Sequence, residues 1–419
     1  MPPMRVLISG AGIAGPALAW FLAKTGARIT VVEKASSLLP HGQNVDITGS
    51  AITAVKKMGL MTEFRKYHTK ECGTQLIDLN GKPFAPFPIK EGSTASFTSE
   101  FEILRGDLAK LFYEATKDHP NVNYLFGTTI SKIISNDDVS VKVELSNGDM
   151  HESDLLVAAD GQWSKVRKQV FPKEDITVVD KDMYVVYYTI PRLPIDNDWW
   201  NVYGALRSRV ITLRPDPHGT IRAMFMLMPC NKTQKQAWQE ASRSDRKTQQ
   251  ELVRREFADA GWQTQRFLDA MDSAPDFYFQ ACQQIKMKDW SKSRIVCVGD
   301  AAYAPTPLTG AGTTLAITGA YILAGELCKL EDGEHPSKAL EAFENTFKPF
   351  VEQVQSIPFF IPAIAFPTSA WKIWVLQSCL SALSKFVATS WFAKRFGRTP
   401  ESNDDGFPLP AYPDLDKLL

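Results

Sequence analysis

Near the start of the chain an apolar run, Val6-Leu7-Ile8, passes through Ser9 into Gly10-x-Gly12-x-x-Gly15. A helical pattern (Ile13, Leu18, Trp20-Phe21-Leu22) follows and stops at Gly26. The order is buried strand, glycine turn, helix, and few folds begin that way. Each glycine has its own physical job. Gly10 permits the tight turn, Gly12 lets backbone N–H groups approach a pyrophosphate, and Gly15 lets the helix pack close to the strand. Ala14 adds a small side chain beside them, and the helix N-terminus supplies unpaired N–H groups and partial positive charge. A second strand, Arg28-Ile-Thr-Val-Val-Glu33, ends in a carboxylate about twenty residues past the glycines, where a ribose hydroxyl would sit. An acid at that place favours an adenosine ribose with a free 2′-OH, so the turn predicts FAD or NAD rather than NADP. Lys34 beside it reads as a solvated lysine within reach of the adenine end.

A chain of 419 residues has room for about two or three domains and a large core. With 47 basic and 47 acidic residues, the charge gives no reason to expect nucleic acid as a partner. The six cysteines, at 72, 230, 282, 297, 328 and 379, form no C-x-x-C pair and no cluster with metal-ligand spacing. They read as reduced thiols of a cytoplasmic protein without a metal site. The first strand starts within about five residues, which leaves no room for a signal peptide. No run of about eighteen apolar residues predicts a membrane span.

Further along, Ser50 to about Tyr67 reads as helix, and Thr74 to Phe84 as a hairpin turning at Asn80-Gly81. Pro83, Pro86 and Pro88 read as a loop. Asn121 to Glu152 reads as strands with a hairpin at Asn147-Gly148. Leu155-Leu-Val-Ala-Ala159 has the fully apolar composition of a strand buried on both faces of a parallel sheet. From about 176 the strands become richer in β-branched, aromatic and Met residues, with polar helices around 233–272. Arg294-Ile-Val-Cys-Val298 then returns to the first type, followed by helices at 312–330 and from 337 to about 355. The pattern predicts an α/β protein with a Rossmann-like nucleotide domain in two pieces, 1–175 and 286–355. A mostly antiparallel substrate sheet, 176–285, lies between them, and a helical tail, 356–419, follows.

Three turns follow apolar strands: Glu33, Asp160-Gly161 and Gly299-Asp300. Ligands bind at the carboxyl ends of strands in an open parallel sheet, so the three turns are expected to converge on one cofactor. The third runs Gly299-Asp-Ala-Ala-Tyr-Ala-Pro305-Thr-Pro307-Leu-Thr-Gly310-Ala-Gly312-Thr313-Thr314 into helix. Its exposed N–H groups suit the negative charge of a reduced flavin ring.

In these features, together with Arg105 at a helix start and Trp163-Ser164 with Arg167 after Asp160, the sequence resembles the class A flavin monooxygenases of the para-hydroxybenzoate hydroxylase-like fold. The sequence also looks like the branch of that family that includes the tetracycline-inactivating monooxygenases. The resemblance spans about residues 4–350. It implies FAD as cofactor and NADPH or NADH as a transient co-substrate, without a Rossmann domain of its own. It further implies O₂ addition at flavin C4a and transfer of one oxygen to an aromatic or polyketide-type small molecule. Baeyer–Villiger insertion, epoxidation, or a flavin reductase that does not activate oxygen are the alternative activities. By position, Glu33 would bind the ribose, Asp46 would lie near the flavin or its ribityl chain, and Arg105 would contact the ribityl or pyrophosphate region. Asp160 would serve FAD and nicotinamide binding, and Asp300 a ribityl hydroxyl. Pro307, Gly310, Gly312, Thr313 and Thr314 would surround the flavin ring. Tyr303, Thr314 and Gly319 depart from the His, Asn and Asp that many relatives carry, and no general base is evident.

Met224, Met226 and Met228 alternate with Phe225 and Leu227, a pattern that reads first as a sheet buried on both sides. If one face of that strand lines a pocket, Met and Phe suit an apolar, planar ligand. Tyr187, Tyr188, Arg207, Arg209 and Arg222 are further candidates, with Tyr188, Arg207 and Met226 the first choices for substrate. In the tail, Phe359 to Ala365, Ile373-Trp-Val-Leu and Leu380 to Phe392 read as helices covering the sheet domain. Lys372, Lys385, Lys394 and Arg395 among Trp371, Trp374 and Trp391 also fit weak peripheral membrane contact.

Overall fold

The computed structural model describes residues 3–39, 42–89, 101–357, 364–387 and 406–419. The expectations for 358–363 and 388–405, including Trp391, Lys394 and Arg395, lie outside the described residues.

The glycine turn sits at the centre of a six-stranded sheet. Its order is Ser291–Lys292, Ile295–Cys297, Leu155–Ala158, Arg5–Ser9, Arg28–Glu33 and Val122–Phe126. All neighbours run parallel except the short Ser291–Lys292 edge. The Leu155–Ala158 and Ile295–Cys297 strands are buried throughout, as their apolar composition requires for a sheet covered on both faces. The helices Ala14–Lys24 and Gly312–Cys328 pack against each other, and nearly every residue of both is buried. Such burial on all sides explains why neither helix has a clear polar face.

A seven-stranded sheet forms the second layer, in the order Tyr278–Met287, Ile176–Pro191, Thr220–Leu227, Arg209–Pro215, Trp200–Ala205, Gly73–Ile77 and Pro83–Pro88. It is antiparallel except where Trp200–Ala205 meets Gly73–Ile77. The sheet therefore draws two strands from outside 176–285, and its long first hairpin partner ends past 285 at Met287. The hairpin at Asn80-Gly81 is present, with Gly81 at φ 78°. The proline-rich stretch after it is a strand and not a loop. It lies at the sheet edge, where a strand can lack N–H donors on its outer side. The helical stretch from Ser50 is two helices, Gly49–Lys57 and Met61–Lys66, broken at Gly59 (φ 70°).

The two faces of the second sheet differ. Tyr184, Val186, Tyr188, Phe225 and Leu227 bury against the helices Lys232–Ala241, Arg246–Phe257 and Thr264–Ala270. Met183, Val185, Val210, Cys282 and Phe366 bury on the opposite face, with Tyr187, Met224, Met226, Met228 and Leu308 packed beside them. The period-2 alternation of a strand separates the two sets. Polar bridges join the layers: Tyr187 donates to Gln43 Oε1 at 2.9 Å, and His218 Nε2 lies 2.9 Å from Asp107 Oδ2.

Candidate active site

At the first strand end, Gly10 has φ 111°, and a Cβ there would stand 2.5 Å from the Ala159 carbonyl oxygen. A Cβ on Gly15 would meet the Gly10 carbonyl oxygen at 2.1 Å. These two glycines are required by backbone approaches within the protein. Gly12 is different, because a Cβ there would meet only the Arg105 guanidinium, at 3.8 Å. It faces the cleft, where a diphosphate needs close access to backbone N–H groups. Ala14 begins the helix behind it, close to Gly299. The Glu33 carboxylate accepts from the Ala11 N–H through one oxygen and the Ala35 N–H through the other, each at 2.9 Å. It is thus fixed against the glycine turn, while Lys34 is exposed beside it.

Arg105 opens the helix Arg105–Glu114, and its N–H donates to the Gln43 carbonyl at 3.0 Å. Gln43 accepts from Tyr187, so the loop carrying Arg105 is registered against the second sheet. Asp46, on the strand Asn44–Asp46, pairs in register with Glu102. Nearby, Arg214 grips Glu71 with two hydrogen bonds of 2.8 Å and also pairs with Glu102.

Asp160 Oδ2 accepts from the Lys165 N–H at 2.8 Å, at the start of the helix Lys165–Val170, whose N-cap is Ser164, accepting from the Arg167 N–H at 3.0 Å. Its Oδ1 is buried without a hydrogen-bond partner among the described residues. Arg167, on the same helix, is buried and donates to the Ala301 carbonyl at 2.6 Å and the Gln162 carbonyl at 2.7 Å. Burial pulls its guanidinium below its usual affinity for a proton. It locks the Asp160 loop to the Gly299 turn.

Asp300 starts that turn's short helix, Asp300–Tyr303. It is exposed to the cleft although protein surrounds it closely. This crowding pushes its carboxyl up, and Arg105 partly offsets the effect. A Cβ on Gly312 would stand 3.9 Å from Asp300 Oδ1, so the carboxylate and the N-terminus of Gly312–Cys328 share one rim. The connecting loop is strained at Thr306 (φ 80°), where a β-branched residue resists a left-handed backbone by about 1–3 kcal/mol. Buried glutamines hold the approach to it. Gln284 donates to the Pro305 carbonyl at 3.1 Å, and Gln355 donates to the Ala304 carbonyl at 3.2 Å. Pro307 and Gly310 are exposed, with Gly310 left-handed at φ 64°. Thr314 is buried, and its Oγ1 accepts from the Thr48 N–H at 3.1 Å, leaving main-chain N–H groups as what Thr313 and Thr314 offer outward.

The structure separates the substrate candidates. Met226 and Tyr187 lie on the sheet face shared with Leu308 of the strained loop. Tyr188 lies on the other face, buried, with its hydroxyl donating to the Phe267 carbonyl at 2.8 Å. The one-residue alternation of the strand makes Tyr187 the tyrosine on the loop side. Arg207 sits in a turn with φ 64° and pairs with Asp259 at 2.5 Å; Arg209 pairs with the same acid. Arg222 is held by Asp216 and Asp276. These arginines serve the sheet's own ion pairs, which are long-range contacts that sequence spacing does not reveal. Gln43, Gln284, Gln355 and Tyr278, whose ring lies 4.9 Å from that of Tyr187, also border the site and carry no sequence motif.

An FAD fits this donor set: a glycine turn open at Gly12, a cation at Arg105, a cleft-facing carboxylate at Asp300 and a helix N-terminus at Gly312. The profile of the FAD binding domain family matches residues 3–357. Monooxygenase CTB7 of Cercospora beticola is 37% identical over 391 residues, covering 91% of this chain and 92% of that protein. FAD-dependent monooxygenase asL4 of Sarocladium schorii is 33% identical, with 99% of each chain covered. Among solved structures, tetracycline destructase Tet(55) superposes with a TM-score of 0.77 at 28% identity, covering 98% of this chain and 99% of its own.

Proposed function

The chain belongs to the FAD binding domain family and is a flavoprotein monooxygenase, and from that premise we propose that it uses NADH or NADPH and O₂ to hydroxylate a flat, apolar aromatic or polyketide-type small molecule. The observation that carries the substrate class is the sulfur-rich sheet face. Met183, Met224, Met226, Met228 and Cys282 stand with Tyr187 and Phe366 on the side of Leu308, next to the loop that would border the flavin ring. Methionines adapt to a planar ligand and make favourable contacts with aromatic rings.

Bound FAD supplies electron acceptance from the nicotinamide and activation of O₂. The protein's own contribution is positional and electrostatic. Gly10, Gly12, Ala14 and Gly15 would receive the diphosphate, with Glu33 at the adenosine ribose and Lys34 near the adenine. Arg105 would hold the diphosphate or ribityl region, and Asp300 would accept from a ribityl hydroxyl. Asp160 fixes its own loop through Lys165, and Asp46 would lie toward the ring. The main-chain N–H groups of Gly312, Thr313 and Thr314 would stabilise negative charge on the ring, with Pro307 and Gly310 shaping its edge. No dyad is needed for this chemistry.

Purified protein reconstituted with FAD should consume O₂ and NAD(P)H, faster with a flat aromatic polyketide than without. Asp300→Ala should weaken FAD binding at least about tenfold, the value of one charge-assisted hydrogen bond. Full substrate turnover under strict anaerobiosis would sink the oxygenase reading.

A further inference from the structure

The helix Ala370–Val387 lies on the outer strand Pro83–Pro88 and turns the wrong face outward for a helix that only packs on its own protein. Ile373 and Ser384 are buried against the body. On the opposite side, Trp371, Trp374, Val375, Ser378 and Ala382 follow the i, i+3, i+4, i+7 spacing of a single helical face and are exposed. Trp371 is 65% exposed and Trp374 68%. Two large indoles on one exposed stripe are not the scattered surface apolars of an ordinary soluble domain.

Charge identifies what covers the stripe. Lys372 and Lys385 are exposed on this helix, and it has no acidic residue. From residue 353 to 400 the sequence carries five basic side chains and no acidic one, although the 47 basic and 47 acidic residues of the whole chain balance. We propose that this helix docks the protein on an anionic phospholipid surface, lying in the headgroup boundary with the indoles inserted and the lysines at the phosphates. Tryptophan suits that depth, because its ring is apolar and its N–H can stay in the wet headgroup layer. Lysines flanking an apolar stripe reach outward to anionic headgroups. A second copy of the helix would bring lysine to lysine, with no acid on either partner to pair them. Spanning is excluded among the described residues, where no helix is long and apolar enough to cross a membrane. The helix is preceded by Phe366, which belongs to the methionine face, so docking would bring lipid close to the substrate wall. That consequence rests on the substrate reading above; the docking does not.

The test is cosedimentation of the FAD-loaded full chain with phosphatidylcholine vesicles, with and without phosphatidylserine. The protein should pellet with the anionic vesicles only, and added salt should release it. Trp371→Ser with Trp374→Ser should abolish pelleting while leaving FAD content, melting temperature and NAD(P)H-driven O₂ uptake unchanged. Lys372→Gln with Lys385→Gln should weaken vesicle binding about thirtyfold. FAD content is read on the same samples, so failure of docking and failure of the flavoenzyme reading are separated. Absence of wild-type binding to anionic vesicles would overturn the proposal, as would undiminished binding by the tryptophan variant. A vesicle-independent dimer in light scattering that the tryptophan substitutions dissolve would equally overturn it, by assigning the stripe to a second copy.

Discussion

Gly319 exists to admit Tyr303. A Cβ on Gly319 would stand 2.3 Å from the Tyr303 hydroxyl oxygen and 3.0 Å from Phe347 Cε1. The resemblance implies a departure at each of these two positions, and in the fold they are one contact. The larger tyrosine ring is buried against Trp290 and Phe347 and takes the volume that a side chain at 319 would fill.

Gly319→Ala tests the pairing. Alanine favours the helix over glycine by about 1 kcal/mol, so any loss must come from the clash. Overpacking of this kind costs about 1–3 kcal/mol, and a net loss of roughly 1 kcal/mol is expected in urea unfolding. Tyr303→Phe in the same chain removes the closest atom and should restore most of it. Equal, additive losses in the double variant would contradict the pairing.

Arg167 is the bolt between two turns of the cofactor cleft, bonded to the Gln162 and Ala301 carbonyls. Arg167→Lys keeps the charge but cannot span both oxygens. Leaving buried acceptors unpaired should cost roughly 2–4 kcal/mol of stability. FAD affinity, read by flavin fluorescence, should fall at least about tenfold, because the Asp160 loop and the Asp300 turn lose their common register. Unchanged affinity would mean that the turns are fixed independently.

The acid cluster behind Asp46 predicts a pH dependence. Burial pushes the Glu71 carboxyl above its ordinary 4.5, Arg214 opposes that, and Asp46 adds to it. Above 4.5 the unfolded chain has released this proton while the folded chain still holds it. Stability therefore falls as pH rises through that window. Glu71→Gln removes the titration, so its melting temperature should decline less than that of the wild type from about pH 4.5 upward. A variant that declines more would mean that Glu71 is ionised and its pairing with Arg214 dominates.

The C-terminus braces the helix whose other end meets the cleft. Tyr412 packs its ring so closely on Gly325 that a Cβ there would stand 2.3 Å from ring carbons, and its hydroxyl donates to Glu326 Oε1 at 2.7 Å. Tyr412→Ala should destabilise by roughly 3–5 kcal/mol, as for other large aromatic truncations. Gly325→Ala should displace the same contact, so the two losses should not add. Thermal unfolding of both single variants and the double variant measures this.

The glycine turn, the Glu33 strand end and the parallel strands ending at Asp160 and Asp300 were legible because each is a local pattern of a few residues. The two-sided sheet was legible from the alternation of Met224–Met228, although which tyrosine shares its methionine face depends on a register that a count from one strand alone does not supply. Pro83–Pro88 read as loop because a sequence does not say which strand is at an edge. Arg207, Arg209 and Arg222 read as ligand candidates because their acids, Asp259, Asp216 and Asp276, meet them only through tertiary folding. Gln284 and Gln355 carry no motif at all. Their role arises only where Thr306 needs its carbonyl neighbours held.

Oxygen transfer from O₂ is read most directly from turnover of a flat aromatic polyketide under ¹⁸O₂ by the FAD-loaded protein with NADPH or NADH. One ¹⁸O atom is expected in each product molecule, with NAD(P)H consumed alongside. Product formed without label, or at full rate without O₂, would contradict it.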